Sequence, residues 1–145
     1  MFAFRGIVIG LTLQIKEKTM KELKELTRAE EQIMQELWDL GKAFVKDIID
    51  RLPEPKPAYN TVSTIVRILE TKGFVAHEAF GKSHRYYPIV SKEEYRTFAT
   101  GKLLHGYFNN SARNMLSFFL EEEKLDLKDA DELLKMLEEA KKKRG

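Results

Sequence analysis

The chain has 145 residues, 43% of them hydrophobic and 33% charged, with a net charge of +2 and no cysteine. That length admits one domain with a real core and a small appendage, and the composition is that of a globular chain, not a disordered one. Without cysteine, disulfides, zinc ribbons, iron–sulfur sites and thiol nucleophiles are excluded, which suits a reducing, cytoplasmic setting.

From Met1 to Ile15 the chain is mostly apolar, with Arg5 as its only charge. This is too short to span a bilayer, which needs about 20 apolar residues. Ile7, Ile9, Leu11, Leu13 and Ile15 alternate as a half-buried strand would. The plainer expectation is a tail, or a start upstream of a true one at Met20, so residues 1–25 are read as an N-terminal extension. The first firm element begins at Thr27, which forms a T-x-x-E capping box with Glu30. Ile33, Met34, Leu37 and Trp38 continue at helical spacing, and Gly41 ends the helix. Trp38 belongs to that apolar stripe and reads as core.

A second short helix is expected over 45–52, with Val45, Ile48, Ile49 and Leu52 on its apolar face. Pro53, Pro55 and Pro57 forbid its continuation. The third runs from about Ala58 to Lys72, with Val62, Ile65, Val66 and Leu69 as its buried stripe. Asn60, Thr64, Arg67 and Thr71 form a second stripe on another face. Gly73 ends it. Strands are expected over Phe74–Glu78 and His84–Val90, turning through Phe80–Ser83, and Pro88 confines the second to an edge or an end.

Ser91 and Glu94 make another capping box, opening a helix through Tyr95, Phe98, Ala99 and Leu103. Further helices are expected over 111–122 and 127–141. Met115, Leu116, Phe119, Leu120, Leu127, Leu134 and Leu137 are their main apolar positions. So late an apolar helix pair has little of its own chain to cover, and is expected to bury against a second copy. The charge is divided as well. Residues 54–92 carry six Lys/Arg against three acids, and residues 121–139 carry nine acids against three Lys. A basic middle can face phosphates while the acidic end faces elsewhere.

The expected fold is mainly α with a small β hairpin: a winged helix-turn-helix domain over 26–92, then helical dimerisation over 93–145. A helix enters the major groove when one face packs on a core and another offers small polar and basic groups. Asn60 can pair with adenine, Thr61 and Thr64 can touch thymine methyls or phosphates, and Arg67 can reach guanine or phosphate. Ser63 is counted with them. Lys82, Ser83, His84 and Arg85 in the turn can reach the neighbouring backbone. A winged-helix module that binds protein instead of nucleic acid is the alternative; the polar stripe and basic wing favour DNA.

Four stretches carry a resemblance: LTRAEEQIMQELWDLG (26–41), VKDIIDRL (45–52), NTVSTIVRILETKGFV (60–75) and GKSHRYYPIVSKEEY (81–95). Over roughly Leu26–Glu139 the chain resembles the penicillinase-repressor family. The resemblance implies a homodimer on an inverted-repeat operator in double-stranded DNA. It also implies relief of repression by proteolysis in the C-terminal part, prompted by a membrane metallopeptidase sensor. The family's Asn-Phe cleavage bond is matched here by Ser117–Phe118. The copper-responsive branch carries a C-terminal cysteine motif, which this chain lacks.

No catalytic motif occurs: there is no H-E-x-x-H, no G-x-S-x-G and no P-loop, so neither an enzyme nor a cofactor is expected. His77, Glu78 and His84 could converge across the hairpin, but such a set on an exposed wing more often faces DNA or solvent, and no metal is expected. Phe118 and Phe119 read as interface or core, and Glu121–Glu123 as a solvated helix end.

Overall fold

The computed structural model describes residues 23–145. The alternating N-terminal segment, residues 7–15, lies outside the described residues. The elements run α1 (Arg28–Leu40), α2 (Val45–Arg51), α3 (Tyr59–Thr71), β1 (Val75–Phe80), β2 (Ser83–Pro88), α4 (Lys92–Tyr107) and α5 (Ala112–Glu121), then a 3-10 turn at Leu127–Asp129 and α6 (Ala130–Arg144). Chain contacts divide them into two units, with the boundary between Thr100 and Gly101.

The first unit is a winged helix-turn-helix. At the start of α1 the Glu30 amide donates to Thr27 Oγ1 at 3.2 Å, and the Thr27 amide to Glu30 Oε1 at 3.0 Å. Gly41 closes the helix at φ +80°, a conformation that costs glycine little. In α2 the Phe44 amide donates to Asp47 Oδ2 at 2.9 Å. Lys56 Nζ then donates to the carbonyls of Asp50 and Leu52 at 2.9 and 2.7 Å, satisfying groups the helix end leaves open.

The core gathers Ile33, Met34 and Leu37 of α1, Val45 and Ile48 of α2, and Val62, Val66 and Leu69 of α3, closed by Phe74, Val75, Tyr86 and Val90. The start of α4 belongs to this core. The Tyr95 ring lies 5.7 Å from Phe74 and 6.0 Å from Trp38, and its hydroxyl accepts the Leu26 amide at 3.0 Å. Trp38 is half-buried and donates its indole N–H to the Val90 carbonyl at 2.9 Å.

The hairpin is antiparallel, with Val75 opposite Pro88 and Phe80 opposite Ser83. Its turn is therefore only Gly81 and Lys82, shorter than the expected Phe80–Ser83. Gly81 at φ +59° permits this, since a two-residue hairpin turn demands a positive φ. Pro88 ends β2, where its missing amide costs nothing. Ala43, between α1 and α2, exchanges backbone hydrogen bonds with Tyr86 at 2.8 and 2.9 Å, tying the helices to the wing.

The second unit is helical. Asn109 and Asn110 turn between α4 and α5 at φ 53° and 60°, and Ser111 Oγ accepts the Asn114 amide at 3.1 Å. No residue of α5, the 3-10 turn or α6 is buried. Leu116, Phe118, Leu120, Leu127, Leu134, Met136 and Leu137 are all exposed, while Met115 and Phe119 are half-buried. Among the described residues, no helix is long and apolar enough to cross a membrane.

Candidate nucleic-acid interface

α3 presents two faces. Val62, Val66 and Leu69 have no exposed surface, while Asn60, Thr61, Thr64 and Arg67 are exposed. Ser63 departs from expectation. It is buried at 9% exposure on the core side of the helix, so it stands outside the polar face. Thr64 Oγ1 donates back to the Asn60 carbonyl at 2.8 Å, and Thr71 Oγ1 to that of Arg67 at 3.1 Å. Each hydroxyl proton is thus committed to the helix, and Thr64 offers a partner its methyl and the acceptor side of its oxygen.

The first turn of α3 has no acidic residue, and its N-cap, Ala58, makes no side-chain hydrogen bond. The leading amides and the helix dipole therefore favour an anion there. Tyr59, 59% exposed at the first helical position, was not singled out by the sequence pattern. It lines a cleft with Phe44, Val45, Lys46, Asp47, Ser83 and His84, where the start of α2, the start of α3 and the wing tip converge. Lys46 is a further cation of this region that periodicity passed over, because it lies among the polar positions of a short helix.

On the wing, Lys82, Ser83 and His84 are exposed at the turn. Arg85, at the start of β2, is half-buried and tied within the wing. Its guanidinium donates to Glu78 Oε2 at 2.9 Å and lies 4.7 Å from the centre of the Phe80 ring. Lys42 donates to the other Glu78 oxygen at 2.8 Å. Lys42 and then Arg85, both hydrogen-bonded to it, hold the Glu78 carboxyl below the usual carboxylate range against a small desolvation cost.

The two wing imidazoles are organised as well. His77 and His84 stack with ring centres 4.1 Å apart and planes 8° from parallel, and His77 Nδ1 lies 2.6 Å from Glu70 Oε2. With the rings parallel and Glu78 held by two cations, His77, Glu78 and His84 do not converge on a common point. Among the described residues, no group of three or more metal-ligating side chains forms. Tyr86 sits at the base of the wing, where burial and then the charge of Glu70 raise its hydroxyl pKa while nearby Arg67 pulls the other way. Arg67 thus stands where helix and wing meet.

In the second unit, Ser117 and Phe118 fall inside α5 and are exposed. Phe118 packs at 5.5 Å from Phe108 and 6.2 Å from Phe119, measured between ring centres.

Residues 26–139 match the family model described as penicillinase repressor. The penicillinase repressor of Bacillus licheniformis is 25% identical over 126 residues, covering 86% of this chain and 98% of that protein. The methicillin resistance regulatory protein MecI of Staphylococcus aureus (strain N315) is 23% identical over 114 residues, covering 78% of this chain and 93% of that one. Among solved structures, the DNA binding domain of the repressor BlaI aligns with a TM-score of 0.45 at 22% identity, over 50% of this chain and 90% of that one. The CopR repressor aligns with a TM-score of 0.39 at 30% identity, over 46% of this chain and 97% of that one.

Proposed function

The chain belongs to the penicillinase repressor family, and on that premise we propose that it is a DNA-binding transcriptional repressor. The observation that carries the reading is the division of α3, with Val62, Val66 and Leu69 held in the core and Asn60, Thr61, Thr64 and Arg67 turned out. A helix anchored in this way can lie in the major groove. Asn60 then pairs with adenine and Arg67 with guanine or phosphate, while the Thr61 and Thr64 methyls meet thymine. Lys82, Ser83 and His84 follow the adjacent backbone, and Lys46 with the uncapped start of α3 adds phosphate contacts. The names of two relatives, a penicillinase repressor and a methicillin resistance regulatory protein, agree with this role.

In the finer reading the protein is a cytoplasmic homodimer on an inverted-repeat operator. Met115, Leu116, Phe119, Leu120, Leu127, Leu134 and Leu137 bury against the second copy, and the exposure of most of them in one chain supports this. Proteolysis in that region, prompted by a membrane metallopeptidase, would dissolve the dimer and release DNA, with Ser117–Phe118 as the candidate bond. The reading head spans 26–92 and the dimerisation region 93–145, the first turns of α4 packing on the head.

The direct experiment is binding of the full chain to labelled duplex DNA across a salt series. Affinity falling steeply as salt rises is the expected result. No affinity for any duplex at low salt would overturn the reading in favour of a winged helix that binds protein.

A further inference from the structure

We infer that His77 keeps Glu70 from capturing Arg67, so that the wing holds the reading helix's own acid aside and leaves the guanidinium free for a base. The inference rests on the DNA-binding reading and adds to it two positioning residues, His77 and Glu70, which act through Arg67 and not on DNA. Arg67 and Glu70 are three residues apart on α3. At that spacing an arginine and a glutamate are neighbours on one helix surface and attract each other. Both also act on one hydroxyl, that of Tyr86, so their charged ends reach the same place at the base of the wing. Yet among the described residues Arg67 forms no ion pair, and its side chain is exposed.

Glu70 is engaged elsewhere. His77 Nδ1 lies 2.6 Å from Glu70 Oε2. An ionised carboxylate only accepts, so Nδ1 carries the proton and donates it to this bond. The His77 ring has little freedom to turn away. It stacks on His84 with ring centres 4.1 Å apart, and the ring of Tyr86, its partner across the strands, lies 5.7 Å away. Tyr86 is itself buried and fixed through its backbone to Ala43. Packing of this kind locks the imidazole and aims its donor at α3. Without that donor, Glu70 is free to fold back along its own helix onto Arg67. A guanidinium paired there has its charge offset and part of its donor fork occupied, and so has less to give a guanine or a phosphate.

The test uses the full chain and a duplex that the unsubstituted chain selects from a random-sequence pool. His77→Phe keeps an aromatic ring on His84 and removes the donor. At low salt it should lower affinity for that duplex about two- to five-fold, the range of an ion pair that water still reaches. Glu70→Gln in the same chain removes the captor, and H77F/E70Q should bind as tightly as the parent. In a chain already carrying R67A, H77F should cost nothing further. A loss that E70Q does not restore, or that persists without Arg67, would show that the imidazole serves the wing alone and overturns the inference. An H77F chain that binds as the parent does overturns it too. The free protein gives a second reading. The Arg67 Nε–H signal, followed by NMR without DNA, should shift in H77F and return in H77F/E70Q. A signal that stays in place overturns the inference whatever the DNA result. A parent with no affinity for any duplex overturns the repressor reading, and this signal then decides whether His77 holds Glu70 from Arg67. Should H77F fail to fold, judged by thermal unfolding against the parent, His77→Leu, which likewise lacks the donor, carries the same comparisons.

Discussion

Glu30 closes the capping box of α1 and, at 4% exposure, also receives Lys72 Nζ on both carboxylate oxygens at 2.6 and 2.7 Å. Burial alone would push this carboxyl up, but the Lys72 hydrogen bond, together with the Thr27 amide and hydroxyl, outweighs it and holds the pKa below the ordinary value. A depressed carboxyl contributes stability that is present above its unfolded-state pKa and is lost as pH falls through the folded one. Glu30→Gln keeps an acceptor for the cap and removes the charge. At neutral pH it should cost about 1–3 kcal/mol in urea unfolding, toward the low side because Lys72 retains some access to water. The deficit relative to the parent should shrink on acidification; a deficit constant with pH would show that the ion pair is not its source. Arg85 and Lys82 invite a paired test. Lys82→Ala should weaken binding to all duplexes alike and lower the salt slope by about one. Arg85→Ala should leave that slope nearly unchanged, because its guanidinium is already held by Glu78 and Phe80. Equal slope losses in the two variants would mean that Arg85 abandons Glu78 for phosphate.

At the scale of the element, α3 is where an apolar period and a polar stripe share one helix. Asn60→Ala and Arg67→Ala should each cost about 1–3 kcal/mol of operator affinity if they reach base edges, with the fold intact because both are exposed. Unchanged affinity in both variants would remove α3 as the reading element. The elements around it were legible in the sequence because each carries local signals: Thr27 with Glu30, Ser91 with Glu94, Gly41, Gly73, and the spacing of Val62, Val66 and Leu69. What stayed hidden was pairing between distant residues. Nothing local joins Glu30 to Lys72, or shows that Arg85 belongs to Glu78 on the opposite strand. Ser63 was misplaced because a buried helix face is wider than its apolar stripe, and a small polar residue beside Val62 fits inside the edge of that face. The Ala43–Tyr86 bridge left no trace either, since one residue of strand has no period to read.

At the scale of the whole molecule, the two units divide the work that repression requires. The first has a closed core of its own, from Leu26 to Tyr95, and should fold alone. The second buries no residue in α5 or α6 and exposes apolar side chains along both. Exposed strips of this kind are stable in water only when covered, and on the homodimer reading they are covered by a second chain. On the same reading each head alone would contact one half-site weakly, and joining two heads would raise avidity by roughly 10²–10⁴ without any new contact. Residues 20–108 expressed alone should therefore be monomeric and folded, and should lose affinity for the full operator by that order while holding a single half-site as before. Leu134→Asp in the full chain should act in the same direction, since it places a charge in the shared strip and leaves the heads untouched. Sedimentation and operator binding on the same samples decide the matter. A fragment that remains dimeric and grips the operator as tightly as the whole chain would locate dimerisation in the first unit. In that case no cut in the second unit, at Ser117–Phe118 or elsewhere, could switch the repressor off.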